Sequence, residues 1–406
     1  MRHAISYGPK GFYAMHGFPK TPRQQPPSLS RLFSAFLRLG ATAFGGPAMI
    51  AYIRALAVER ERWLHRETFQ EGVALCQTIP GATAMQVAAY VGLRVRGVRG
   101  AVTSYLGFGL PAFFLMTALS ALYDRTHSLP AVIAAFSGLQ AIIVAIVANA
   151  ALSFGKTSLA NWKTWGIALV AAGLFWFAAH PALILLLAAL LGLALNPGQP
   201  AAPQAEPRPP LSSTTRQLFF LLAATAAGFA LLAFFRYDLA QLALLMARID
   251  LLAFGGGFAS VPLLFHEIVE TRAWLTAPTF LDGIALGQLT PGPIVITATF
   301  VGYLLHGLFG ALIATMAMFL PSLLLLIATA PYFARLHSSP RFNLAVAGVL
   351  CSFVGLLGTV TIRLALHVQW DWPHLFLAGA ALAALLKKID LLWVVLVGAT
   401  VAMFLF

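Results

Sequence analysis

Two arginines, two glutamines and two proline–glycine pairs stand at matched positions in this chain, and together they could hold an anion. Gln77-Thr78-Ile79-Pro80-Gly81-Ala82-Thr83 has an echo in Gln288-Leu289-Thr290-Pro291-Gly292-Pro293-Ile294. Each interrupts an apolar run with a Pro-Gly pair that a continuous helix tolerates badly. A proline at the first helical position predicts a helix restarting at the break, with free N–H groups there. Free amides and the positive end of the helix dipole bind anions. Thr290 is placed to cap such a helix before Pro291, whereas Ile79 is not. Arg38 and Arg248 each lie six residues before a glycine break, Phe44-Gly45-Gly46 and Phe254-Gly255-Gly256. A matched pair of arginines suits an oxyanion. The candidate anion-binding set is therefore Arg38, Gly45, Gly46, Gln77, Thr78, Pro80, Gly81, Thr83, Arg248, Gly255, Gly256, Gln288, Thr290, Pro291 and Gly292. The plainer alternatives are packing kinks at the Pro-Gly pairs and arginines snorkelling to an interface.

Glu71 and Asp282 are candidates for proton coupling. Each also sits three residues after a threonine, Thr68 or Thr279, which is the spacing of a capping box. Gln77 and Gln288 could equally serve as polar packing between helices. His127 and His337 lie beside Ser and Pro and read as turn residues. Cys76 and Cys351 fall in apolar segments without metal or redox spacing and read as small buried hydrophobes. No metal site, cofactor, nucleophile elbow or phosphate-binding loop is expected, and no enzymatic activity.

The elements that must position these residues are membrane helices. The 406 residues are 60% hydrophobic and 10% charged, and several apolar runs reach the roughly 20 residues that a bilayer crossing needs. The composition predicts an all-α polytopic membrane protein. A net charge of +13 raises the question of nucleic acid. Its 26 Lys and Arg lie between apolar runs, however, as cytoplasmic loops do, and no nucleic-acid partner is expected.

Residues 35–138 recur at 245–348. Arg38 pairs with Arg248, 210 positions on, and Phe44-Gly45-Gly46 with Phe254-Gly255-Gly256. Gly92, Gly97, Gly100 and Pro111 meet Gly302, Gly307, Gly310 and Pro321 at the same offset. One residue further, Gln77, Pro80 and Gly81 meet Gln288, Pro291 and Gly292. The chain is a duplication. It divides into a polar cytoplasmic tail (1–28), a first repeat (29–195), a Pro-rich linker (196–215), a bridging transmembrane helix (216–235) and a second repeat (236–406). If the segments 30–53 and 68–92 and their twins dip in and return, most basic residues fall on the cytoplasmic side. Arg125, Arg236, Arg248, Arg272 and Arg363 are then left outside. The loop 93–99 carries Arg94, Arg96 and Arg99, while its twin 303–309 carries no arginine or lysine. This opposite bias predicts two homologous halves in an inverted-topology repeat with broken, re-entrant helices.

With Phe44-Gly45-Gly46-Pro47, Gln77 to Ala82, Phe254 to Gly257 and Gly287 to Pro293, the chain resembles the chromate ion transporter family in its long, two-domain form. The match covers about 30 to 400. The resemblance implies a secondary transporter of a bacterial cytoplasmic membrane that exports chromate. It also implies drive by the membrane potential or a proton gradient, and chromate resistance. The partners expected are chromate, membrane lipid and a second copy of the chain in a homodimer. The residues alone leave open a carrier of sulfate or another tetrahedral oxyanion, since charge and geometry are so alike. A membrane-embedded enzyme is the reading from another class, and it would need convergent titratable groups that the sequence does not offer.

Overall fold

The computed structural model describes residues 27–44, 48–195, 212–333 and 338–406. Nearly all of the expected tail 1–28, the glycines Gly45 and Gly46, most of the linker 196–215, and His337 lie outside the described residues. Among the described residues every regular element is helical.

Each half opens with two helical hairpins. α1 (Leu29–Thr42) starts at Ser28, whose hydroxyl accepts the Arg31 N–H at 3.2 Å. α2 (Ala48–Arg54) runs into a π-helical turn, Ala55–Arg60, and lies back along α1. Arg31 reaches Glu61 at 2.8 Å, and the rings of Phe36 and Trp63 stack. α3 (Arg66–Thr78) and the first part of α4 (Thr83–Thr126) form the second hairpin. Gly72 packs so tightly on the Tyr90 ring that a Cβ there would collide with it. Residues 18 apart in sequence touch only if the chain reverses between them, and the reversal is at Pro80-Gly81. α4 reverses again at Arg96 and Gly97, where Gly97 has φ +64°. Gly92 and Gly100 then face each other without room for a Cβ, and the Ser104 hydroxyl donates to the Ala88 carbonyl at 2.8 Å. The expected loop 93–99 is therefore a tight turn between two antiparallel helical segments.

α5 (Pro130–Ser158) is a long apolar helix, followed by α6 (Trp162–Trp176) and α7 (Pro181–Leu195). α8 (Ser212–Phe235) joins the halves and starts a turn earlier than the apolar run suggests. It leaves Phe219, Leu231 and Phe234 exposed, as a helix facing lipid would. The second half repeats the order. It comprises α9 (Tyr237–Leu252), α10 (Ser260–Phe265) with a π-helical turn His266–Thr271, α11 (Ala277–Leu289) and α12 (Thr297–Thr329). α13 (Pro340–Leu366), α14 (Trp372–Leu386) and α15 (Leu391–Leu405) complete it. Gly283 sits on the Phe300 ring as Gly72 does on Tyr90, and α12 turns at His306 and Gly307 as α4 does at its twin.

Five helical stretches among the described residues are long and apolar enough to cross a bilayer. α6, α7, α14 and α15 have 15 residues each. At 1.5 Å per residue they span about 22 Å, short of a hydrocarbon core of about 30 Å. They are exchanged between the halves. α6 and α7 pack on α13 of the second half, while α14 and α15 pack on α5 of the first. Gly192 meets Gly348 at one such contact, and Gly138 meets Ala402 at its twin. Lipid is as apolar as leucine, so helices in a bilayer gain from close approach more than from hydrophobicity, and small residues permit that approach.

The two chain reversals at Gly97 and Gly307 give the topology a direct test. Cysteine replacing Arg99 should react with an impermeant thiol reagent from the cytoplasmic face only, and cysteine replacing Leu308 from the opposite face only. The native Cys76 and Cys351 are buried and give little background. Labelling of both positions from one face would overturn the inverted repeat.

Candidate functional site

The four hairpin tips meet at the centre, each on a tip of the other half. The Gly81 N–H donates to the Ala253 carbonyl at 2.9 Å, and the Gly292 N–H donates to the Ala43 carbonyl at 3.0 Å. Gly81 and Gly292 have φ +114° and +116°, a region that side-chain-bearing residues rarely adopt. Behind them, a Cβ on Gly81 would collide with Ser322, and one on Gly292 would lie 3.0 Å from the Ala112 Cβ. These glycines are required by the turn and by the close approach of α12 and α4.

The expected helix restart at the prolines is corrected. Pro80 and Pro291 occupy the turn itself, and the helix resumes at Thr83 in the first half. In the second half it resumes at Thr297, after a 3-10 turn Ile294–Ile296. A glycine at positive φ cannot continue a right-handed helix, so the N-terminus moves past it. Thr290 therefore caps the end of α11 rather than the start of α12, and its hydroxyl donates back to the Gly287 carbonyl at 2.8 Å. The capping-box reading of Thr68–Glu71 and Thr279–Asp282 is corrected as well, because both threonines lie inside helices whose N-caps are His65 and Thr276.

Beside the crossed tips lies a cavity of about 600 Å³. Gln77, Thr83 and Ala84 of the first half line it, with Gly255, Gly256, Gly257, Gln288, Thr290 and Gly292 of the second. Its wall runs out along Ser153, Phe154, Thr157 and Ser158 at the C-terminal end of α5. No Asp, Glu, Lys, Arg or His is among the described lining residues. Polarity comes instead from hydroxyls, amides and glycine backbone. The first N–H groups of the segment starting at Thr83 have no intrahelical partner and point at its N-terminal end. The Gln288 side chain is 8% exposed, and its Nε2 has no acceptor among the described residues. A buried amide donor without an acceptor is costly until something accepts from it. Gln86, which the sequence reading passed over, is fully buried behind the first tip and donates through Nε2 to the Pro80 carbonyl at 2.6 Å. Its place in an unbroken apolar segment gave no local signal of that role.

Of the residues singled out in the sequence, the cavity gathers Gln77, Thr83, Gly255, Gly256, Gln288, Thr290 and Gly292. Thr78 is turned away and donates to the Leu75 carbonyl at 2.8 Å. Pro80 and Gly81 stand behind the cavity rather than in its wall. The two arginines are not brought there. Arg38 lies on the exposed side of a groove between α1 and α2, with Thr42, Tyr52, Glu59 and Arg60. Arg248 pairs with Glu267 and lies 2.7 Å from His180 Nε2. It belongs to an ionic cluster that also holds Arg272, Arg363, Glu270 and His266. Arg363 additionally donates to the carbonyls of Phe175 and Trp176, at 3.0 and 2.6 Å. That cluster ties the outer end of the α9–α10 hairpin to α6 and α13. Glu71 is exposed, away from the cavity. Asp282 is 7% exposed and accepts from the Tyr123 hydroxyl at 2.7 Å and from Gln140 Nε2 at 2.9 Å, which staples α11 to α4 and α5.

Comparison with known proteins agrees with the repeat. The family described as "Chromate transporter" matches residues 30–193 and 240–403, one copy in each half. An uncharacterized transporter of Methanocaldococcus jannaschii is 39% identical over 380 residues, covering 93% of this chain and 94% of that protein. A chromate transport protein of Cupriavidus metallidurans is 33% identical over 370 residues, covering 89% of this chain and 88% of that protein. A probable chromate transport protein of Synechococcus elongatus is 33% identical over 356 residues, covering 87% and 88%. No solved structure matches the chain.

Proposed function

This chain belongs to the chromate transporter family, and on that premise we propose that it carries chromate across the membrane through the cavity at the crossed tips. The observation that carries the reading is Gln288, which lines a cavity with no carboxylate among its described residues and whose buried Nε2, just behind that wall, has no acceptor among the described residues. A tetrahedral oxyanion there would accept from Gln288, from the Thr83 hydroxyl and from the amides at the start of the segment 83–95. A helix N-terminus supplies about half a charge, and desolvating a dianion demands such donors on several sides. Neither arginine touches the cavity, so backbone and amide dipoles do the work that the sequence assigned to them.

Export is the direction the potential favours. A negative-inside membrane drives anions outward by about 2.3 kcal/mol per charge per 100 mV. Export of this kind would give the cell chromate resistance. The test is flux of labelled chromate in everted vesicles, with an imposed potential, with and without a proton gradient, and with sulfate as competitor. Potential-driven chromate accumulation that excess sulfate leaves intact is the expected result. Absence of chromate flux above empty vesicles would overturn the reading, and sulfate flux at the same rate would make the chain a general oxyanion carrier.

A further inference from the structure

We propose that Asp250 is a proton-binding site whose occupancy is linked to anion binding at the tips. The inference rests on the transport reading above and adds to it a second ligand, a proton, and the residue that takes it.

Asp250 lies in the last turn of α9 and is 1% exposed. Its Oδ2 accepts from the Ser322 N–H at 2.7 Å, while Oδ1 has no partner among the described residues. Ser322 follows Pro321, which lacks an N–H and strains the helix around it, so a side chain can reach into the backbone ladder of α12 there. The same carboxyl stands directly behind the first tip. Ala253, three residues on, accepts the Gly81 N–H at 2.9 Å, and Gly81 rests against Ser322.

Among the described residues, no cation stands beside Asp250 to neutralise its ionised form. From α4 it faces Tyr105, whose hydroxyl donates to the Phe319 carbonyl at 2.6 Å and lies 3.3 Å from Ser322 Oγ. Tyr105 in turn neighbours Cys76 of α3. α12 brings Ser322 to it, while the Tyr303 and His306 of that helix lie by the turn at Gly307, where His306 pairs with Asp238 at the opposite end of α9. α10 carries no titratable group before His266, and α8 has only Arg216 in its first turns. On α9 itself, Arg248 is committed to Glu267 and His180. A second acceptor without a donor, Gln86 Oε1, lies at the same tip. Ser322 serves one side of the carboxyl only, and a proton on Asp250 would turn the bare Oδ1 from an unanswered acceptor into a donor.

The twin half lacks this arrangement. Gly40 stands where Asp250 would be and Ala112 where Ser322 would be. In a repeat that matches closely elsewhere, one side of the centre is polar and the other is not, so each chain carries one such carboxyl. Asp282 already has two donors, Tyr123 and Gln140, and gains less from a proton.

The consequence is a positive linkage. An ionised Asp250 repels a dianion on the far side of the tip, and the neutral acid does not. Binding one therefore favours binding the other, by reciprocity. Chromate affinity is then highest where Asp250 is protonated and falls as pH rises through its ionisation.

The experiment uses the purified chain in proteoliposomes, comparing wild type with Asp250→Asn at each pH, which cancels the protonation of chromate itself. Wild type should lose chromate affinity about tenfold or more across the titration, whereas Asp250→Asn should bind tightly and without pH dependence. Infrared titration provides a readout that needs no transport. Wild type should show the carbonyl stretch of a neutral buried carboxylic acid disappearing as pH rises, and Asp250→Asn should lack it. If Asp250→Asn fails to accumulate, Asp250→Glu should keep that band at a shifted frequency. An Asp250→Asn protein with the wild-type pH profile, or a wild type with no such band, would overturn the proposal. So would loss of the pH profile in Asp282→Asn instead, or a flux set by Na⁺ and indifferent to pH. Absent chromate flux with the band present would defeat the transport reading and leave the proton site standing.

Discussion

Gly256→Val is expected to abolish chromate flux while leaving insertion and the rest of the fold intact. Gly256 has φ +97° and lines the cavity, and a Cβ there would lie 3.1 Å from the Thr83 hydroxyl with no other described side chain close by. Two further methyl carbons would then occupy the space beside the free amides of the segment starting at Thr83. With ψ −168° as well, Gly256 occupies a region essentially confined to glycine, and a side-chain-bearing residue there costs on the order of 1–3 kcal/mol, so the amount of inserted Gly256→Val protein is part of the measurement. Gly256→Ala, smaller by those two carbons, should retain a fraction of the flux. This position is a cleaner probe than Gly81 or Gly292, whose substitution presses on Ser322 or Ala112 and threatens the crossing of the tips itself. Flux measured in vesicles, with the amount of inserted protein determined in parallel, decides the matter. A Gly256→Val protein that transports normally would place the anion path elsewhere.

Gln288→Leu should lower chromate affinity by about tenfold to a hundredfold, since a hydrogen bond to a charged group contributes about 1.5–3 kcal/mol. The protein itself should not be destabilised, because the lost donor has no described acceptor to leave stranded. Gln288→Glu is the sharper variant. It keeps the size of the side chain but turns a donor into a carboxylate facing the anion, and flux should vanish. Equal affinity in wild type and Gln288→Leu, measured by chromate-dependent flux at a fixed potential, would remove the amide from the site.

Much of the architecture was written locally. A bilayer demands long apolar runs and satisfied backbone groups, so class, crossings and breaks are marked by composition and by Pro and Gly in place. The duplication needed only that the two copies keep their glycines, and the family match falls on the same two stretches. Gln77, Thr83, Gly256 and Gln288 were found because they flank breaks that any reader of the chain can see. The caps of the broken helices were not, because a positive φ at Gly81 and Gly292 is fixed by the packing of Ser322 and Ala112 from elsewhere in the chain.

The arginines show the limit most clearly. Arg38 and Arg248 are conspicuous in sequence because charge in an apolar run is rare. Whether such a charge faces a ligand or a counter-charge depends on what a distant segment brings to it. Glu267 and His180 claim Arg248, and Arg38 faces a groove on the surface. Asp250 stands in the sequence as a charge two residues after Arg248, and only the approach of α12, opened at Pro321, makes it a carboxyl buried behind the tip. The crossing of the tips, Gly81 on Ala253 and Gly292 on Ala43, is likewise a bond between halves. Local sequence specifies where a helix must stop. Which backbone group the freed amide then finds is a long-range choice, made when both copies fold against each other.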